Sequence, residues 1–380
     1  MTKIYLDNNA TTQLLPEVKA FLIKLLESGN ANPSSPHSMG RSSRTTIETA
    51  RQNVAELINV KPSEIYFTSG GTESNNWILN EIKSISGQTC RIITSSIEHP
   101  SIISTCKALE VKGYSIVYLP VNSEGIVDIQ QLERELKTPT NLVSIQWINN
   151  ETGTIQPVND IASICKKNEV PFHTDAVQAL GKIAVDLKSS QIQYASFSAH
   201  KIHGLSGVGA LYVRQSNPLS SYLHGGSQER SRRAGTENTL GIAAFGEACR
   251  IRGNRLEKVL EQYSLLKSTF YGELTSTGAV ISVNGSLSKS ASNCLNLHFP
   301  HIEAGALVAR ADKRGIIFSQ NSACHSQSIE PSHVLRAMGM SSEHAWSSGR
   351  FSFSEMNTID EMIHAAQLIA EEILAIKKLM

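Results

Sequence analysis

The sequence predicts an α/β fold built on a mostly parallel sheet of seven strands flanked by helices. Three observations predict it. Short apolar runs alternate with helical stretches between residues 64 and 213, several of those runs end in polar clusters, and a composition of 40% hydrophobic and 18% charged residues suits a packed globular chain. At roughly 150 residues per domain, 380 residues suggest two or three domains.

The elements follow in order. Val18, Phe21, Leu22 and Leu25 share one helical face, and Ile47, Ala50, Val54, Leu57 and Ile58 repeat the pattern. Asn32-Pro33-Ser34-Ser35-Pro36-His37 between them is a loop, since two prolines and turn-favouring polar residues stop both helices. The expected strands are Ile65–Thr68, Arg91–Ser95, Ser115–Leu119, Leu142–Trp147, Pro171–Asp175, Tyr194–Ser198 and Val208–Val213. Their polar endings, Ser69–Glu73, Glu98–His99, Asn149–Glu151, Thr174–Gln178 and Ser198–Lys201, lie where open α/β sheets place ligands. From about residue 240 a helical stretch runs to about Leu274, with a domain boundary expected near 255. The last helix is expected to open at Thr358, with Glu361 completing a capping box, and to bury Ile359, Met362, Ile363, Ile369, Ala370 and Ile373.

Charge and cysteine content narrow the function classes. Thirty-five basic residues nearly cancel 34 acidic ones, so no overall field gathers phosphate backbones or acidic membranes. Direct nucleic-acid binding is therefore not expected, and the short cluster Arg230, Arg232 and Arg233 reads as a solvated or subunit-contact patch. No apolar run approaches the roughly 20 residues that cross a bilayer, and Met1 to Asp7 lacks the regions of a signal peptide. A soluble, cytoplasmic protein with no membrane partner is expected. The six cysteines show no C-x-x-C pair and no metal-ligand spacing. Five are expected to be bland buried thiols. Cys324, in Ser322-Ala323-Cys324-His325 among small polar residues, is the one expected to be exposed and reactive.

The polar strand ends supply the candidate chemistry. Lys201 follows an apolar strand and precedes a glycine-rich turn. Asp175 ends another strand and is followed by Gln178. A Schiff-base lysine together with a carboxylate that keeps a pyridinium protonated is the signature of pyridoxal phosphate chemistry. Taken singly, Lys201 reads as a solvated surface lysine, and Asp175 reads equally as a helix N-cap. Gly70, Gly71 and Thr72, between a strand and a helix, offer N–H groups and a hydroxyl to a phosphate. His99 ends a strand where an imidazole can stack on a planar cofactor and move protons, or can be a satisfied structural histidine.

Taken together, the segments YLDNNATT (5–12), TSGGTESNN (68–76), EHPS (98–101), NNETG (149–153), HTDAVQALGK (173–182), SFSAHKIHG (196–204), HGGSQERSRRAGTEN (224–238) and SACHSQSIEPSHVLRAMG (322–339) closely resemble the NifS/IscS-type cysteine desulfurases of the class V aminotransferase family. The resemblance spans nearly the whole chain. It implies the pyridoxal 5′-phosphate-dependent transferase fold type I, with a large domain over 13–255. A smaller α+β domain would be formed by 1–12 and 256–380 and carry the catalytic cysteine loop.

It further implies conversion of L-cysteine to L-alanine, with the sulfur captured as a persulfide on Cys324 and passed to an acceptor protein. Lys201 would bear the cofactor, Asp175 would pair with the ring nitrogen, Gln178 would contact the phenolic oxygen and His99 would stack on the ring. Gly71, Thr72, Ser198 and His200 would take the phosphate, completed across a homodimer by Thr236. Arg350 would hold the substrate carboxylate, with Asn150 beside ring and carboxylate. Leu205-Ser206, Ser227, Gln320-Asn321 and Gly349 depart from the family pattern, and none removes a catalytic group. Within the resemblance the sulfur's destination stays open among iron–sulfur assembly, tRNA thiolation and DNA phosphorothioation. The rival readings are an aminotransferase, a selenocysteine lyase and a non-catalytic sulfur-relay scaffold.

Overall fold

The computed structural model describes residues 3–81, 89–215, 217, 219–320 and 330–378. Seven strands form the main sheet: β1 (Ile65–Thr68), β2 (Arg91–Ser95), β3 (Ser115–Leu119), β4 (Leu142–Ser144), β5 (Phe172–Asp175), β6 (Tyr194–Ser198) and β7 (Gly209–Val213). Their order is β1-β7-β6-β5-β4-β2-β3, and every pairing is parallel except the two made by β7. The fold is thus the expected α/β type. The expected strand Leu142–Trp147 closes its regular ladder at Ser144, yet Ile145 and Trp147 N–H still donate to the carbonyls of His173 and Asp175 (3.1 and 2.9 Å).

Both faces of this sheet are covered, which is why its strands read as apolar runs rather than alternating ones. Successive side chains point to opposite faces. Ala210 and Tyr212 of β7 join a core with Ile47, Val54 and Phe245, whereas Leu211 and Val213 join another with Trp77, Ile102 and Leu109. The first face is packed by α1 (Pro16–Glu27), α2 (Ser38–Leu57) and the first half of the long helix Thr239–Ser276; the second is packed by α3 (Gly71–Glu81) and α4 (Pro100–Val111).

The long helix Thr239–Ser276 departs from helical geometry at Arg255 (φ −139°, ψ 18°). Glu355 braces that bend, accepting from Arg252 at 2.5 Å and from Arg255 at 2.8 Å. Beyond it lies a separate apolar cluster containing Val259, Phe270, Leu297, Phe351 and Ile369, with Ile4 and Leu6 from the start of the chain. Here Cys294–His298 pairs antiparallel with Ser348–Ser352 and Ser282–Val283, and Ile4–Tyr5 runs parallel to Ile316–Ile317. The final helix, Ile359–Lys377, carries the expected Thr358–Glu361 capping box and buries Met362, Ile369, Ala370 and Ile373, while Ile359 and Ile363 are only half-buried. Gly349 has a physical reason: a Cβ there would lie 3.0 Å from the Phe318 ring and 3.2 Å from that of Phe299.

Candidate active site

Five strands deliver their C-terminal ends to one place. After β1 the chain turns into α3 through Gly70, and this turn lies so close to β7 that a Cβ on Gly209 would sit 2.6 Å from Gly70 Cα. β2 ends before Glu98 and His99, β4 leads to Gln146 and Asn150, β5 ends at Asp175 and β6 at Ser198, followed by His200 and Lys201. A cavity of about 210 Å³ opens there, lined by ten of the residues expected from the sequence: Gly71, Thr72, His99, Asn150, Asp175, Gln178, Ser198, His200, Lys201 and Arg350. Thr236 is not among them; it lines a separate hollow with Ser69, Gly207 and Asn238. Cys324 lies outside the described residues. The other five cysteines are free and buried. Burial pushes the thiols of Cys106 and Cys165 up to about 12 and raises those of Cys249 and Cys294.

Hydrogen bonds fix how these groups face the cavity. Lys201 Nζ donates to the carbonyls of Asn9 (2.7 Å) and Ala10 (2.5 Å), which ties it to the start of the chain. His99 is the N-cap of α4, with Pro100 at the first helical position, and its Nδ1 accepts from the Ser101 N–H at 3.1 Å. Because that nitrogen must accept, a neutral His99 carries its proton on Nε2. From Ser101 the network continues: Asn75 Nδ2 donates to Ser101 Oγ and to Asp175 Oδ2, both at 2.8 Å, and Val177 N–H donates to Asp175 Oδ1 at 3.0 Å. Asp175 is thereby held by two donors and oriented.

Charge around the cavity is uneven. Arg350 is only 1% exposed; its Nη2 donates to Asp7 Oδ1 at 2.5 Å and its Nη1 to the Asn150 carbonyl at 3.0 Å, leaving Nε with no partner. Burial first, then Lys201 and Lys182, pushes His200 down to about 4. Behind His99, the Glu98 carboxyl is fully buried, accepting from Ser95 Oγ (2.5 Å) and the Gln146 N–H (3.0 Å); burial pushes it up to about 8. Sequence reasoning missed Asn9, Ala10, Asn75, Ser101 and Gln146 as lining residues. Asn9, Ala10, Asn75 and Ser101 do lie inside the segments that carried the resemblance, and only Gln146 falls outside them.

The chain matches the Aminotransferase class-V family model over residues 4–363. It is 41% identical over 379 residues to a cysteine desulfurase of Nostoc sp. (strain PCC 7120), covering 99% of this chain and 95% of that one. It is 39% identical to the cysteine desulfurase IscS of Dictyoglomus turgidum (strain DSM 6724), covering 97% and 93%. Among solved structures, a NifS-like protein superposes with TM-score 0.92 at 38% identity, covering 98% of this chain and 100% of that one. A structure described as SspA in complex with cysteine superposes with TM-score 0.81 at 32% identity, covering 93% and 99%.

The cofactor of this family is pyridoxal 5′-phosphate, and the cavity fits it on two observations. Asn75 Oδ1, beside the Asp175 carboxylate that Asn75 Nδ2 holds, is a buried polar atom with no partner, a condition native interiors rarely leave unmet. At Gly71 a Cβ would lie 2.5 Å from Val177 Cγ2, so only glycine keeps the start of α3 bare beside the cavity. The first N–H groups of a helix lack internal acceptors and suit a phosphate. Gly71, Thr72, Ser198 and His200 would hold that phosphate, Asp175 the ring nitrogen and Lys201 the aldehyde carbon. The family model covers most of the chain and full-length relatives share about two residues in five; the protein therefore belongs to the class-V aminotransferases and, within them, to the pyridoxal phosphate-dependent cysteine desulfurases of the NifS/IscS type.

Proposed function

We propose that this chain converts L-cysteine to L-alanine, that Cys324 receives the sulfur as a persulfide, and that a separate acceptor protein then takes it. The convergence of Lys201, Asp175, His99 and Arg350 on one cavity carries this reading. The related SspA structure with cysteine supports the substrate.

Pyridoxal phosphate bound there supplies an electron sink for charge at the substrate Cα. Lys201 Nζ takes the Cα proton, Arg350 grips the carboxylate through its spare N–H, and His99 Nε2 manages the proton of the substrate thiol. The Cys324 thiolate then forms the S–S bond. The Cβ–S bond breaks, and its electron pair stays on the carbon fragment, which gains a proton at Cβ and regains from Lys201 the one taken from Cα to become alanine. Cys324→Ala should retain cofactor absorbance yet lose nearly all persulfide formation and sulfide release from cysteine; undiminished release by that variant would sink the assignment.

The proposal includes a homodimer in which Thr236 serves the phosphate site of a second copy, supported by its place outside the cavity of its own chain. Mixing inactive Lys201→Ala and Thr236→Ala proteins should then restore activity, and continued inactivity of the mixed dimers would contradict it. A large unit over 13–255 and a small one formed by 1–12 and 256–380 are supported by the bend at Arg255 and the separate apolar clusters on its two sides. Limited proteolysis that cut freely within 13–255 before cutting near 255 would oppose that division. A cytoplasmic setting suits the five free thiols; efficient export of the tagged protein would argue against it. The destination of the sulfur belongs to the acceptor, which co-purification would identify.

A further inference from the structure

A second lysine lies just behind the cavity. Lys182 is 4% exposed and is not part of the cavity lining. Its Nζ donates to Asn9 Oδ1 at 3.0 Å and to Gln178 Oε1. Both acceptors are amide oxygens of residues that do line the cavity. An amide side chain has an oxygen end and a nitrogen end of nearly the same shape, and only its partners decide which end points where. For Gln178 the choice is made twice: Oε1 accepts from Lys182, and Nε2 donates to the Asn9 carbonyl at 3.0 Å. One Nε2 hydrogen remains for the cavity. Asn9 is fixed in the same way, since Oδ1 also accepts from Asn293 at 3.0 Å while Nδ2 faces the Asn150 carbonyl at 3.3 Å.

We propose that Lys182 is a positioning residue that locks the Gln178 amide with its N–H side toward the cavity, so that the cofactor's phenolic oxygen meets a donor. This rests on the reading above that the cofactor ring lies against Gln178. Burial first, and then the charges of Lys201, Arg252 and Arg350, with the Cys294 thiol close by acting the other way, disfavour a positive charge on Lys182. Its partners suit that: two N–H hydrogens satisfy two amide oxygens without a counter-ion. A lysine serving only as a charge would call for a carboxylate beside it.

A donor on the phenolic oxygen stabilises the deprotonated oxygen and lowers the pH at which the visible absorbance of the loaded protein titrates. The test follows that midpoint spectrophotometrically in holoprotein, with folding checked by circular dichroism. Lys182→Met should raise it by about one unit, the worth of one hydrogen bond to a charged group. In a Gln178→Met background the same change should move it little, because the amide that Lys182 orients is gone. Gln178→Glu keeps an acceptor for Lys182 and removes the donor, so its midpoint should also rise even if Lys182→Met fails to fold. Unmoved midpoints in Lys182→Met or Gln178→Glu would overturn the inference, as would an undiminished Lys182→Met shift in the Gln178→Met background, which would show long-range charge instead. A native protein that develops no visible absorbance with pyridoxal phosphate would overturn the reading of the cavity, and this inference with it.

Discussion

Replacing Glu229 by glutamine tests how the chain holds a strained turn against the main sheet. Glu229, Arg230 and Ser231 have φ of 43°, 57° and 61°, all left-handed and none glycine. At roughly 1–2 kcal/mol for each such residue, the turn costs about 3–6 kcal/mol. The compensation is visible. Arg51 donates to both oxygens of Glu229 at 2.8 and 2.7 Å, the Phe67 N–H donates to Oε2 at 2.8 Å, and the two side chains are 5% and 3% exposed. Arg51 also lies over the Phe67 ring, 4.7 Å from its centroid.

Glutamine keeps the shape and removes the charge. Arg51 is then left with Glu48, whose side chain is mostly exposed, a partner worth under about 1 kcal/mol. Breaking a buried pair costs about 3–5 kcal/mol, so we expect a loss of about 3 kcal/mol in urea unfolding of Glu229→Gln. Arg51→Met should lose a similar amount. The double variant Arg51→Met/Glu229→Gln should lose less than the sum of the singles, because it buries no unpaired charge. A loss below about 1 kcal/mol for Glu229→Gln, or singles that simply add, would refute the reasoning.

Two further outcomes are expected. Burial keeps Glu98 protonated to about pH 8, whereas an unfolded glutamic acid loses its proton near 4.5. The folded state therefore binds more protons between those values, and stability must fall as pH rises through that window. Glu98→Gln should flatten the fall, measured as the urea midpoint at pH 5 and pH 8; equal slopes in both proteins would contradict it. Gly71→Ala forces a Cβ to 2.5 Å from Val177 Cγ2. Overpacking of this kind costs about 1–3 kcal/mol, so pyridoxal phosphate affinity in an absorbance titration should fall about tenfold. Adding Val177→Ala should recover most of it, and no recovery would remove the steric explanation.

The sheet was legible because its strands are buried on both faces and must break into polar residues where they end. Asp175, Ser198 and Lys201 announce themselves by following apolar runs such as Tyr194–Ser198. The layer behind them was not legible. Asn9 meets Gln178 across 169 positions, and Asp7 meets Arg350 across 343; local periodicity carries no trace of such contacts. His99 hid a second role, as helix N-cap, because histidine is not a usual residue there. Gly349 departs from the family pattern for a reason that lies far off in the chain, where the rings of Phe299 and Phe318 leave little room for a side chain. Thr236 came from the resemblance alone, since within one chain it lies outside the cavity.

The central claim is that Lys201 is the lysine that bears the cofactor, with Lys182 only a short distance behind it. Borohydride reduction of the pyridoxal phosphate-loaded protein, followed by peptide mass mapping, tests this directly. The account predicts the pyridoxyl group on the peptide containing Lys201 and none on Lys182. Label on Lys182, or on any other lysine in place of Lys201, would contradict it.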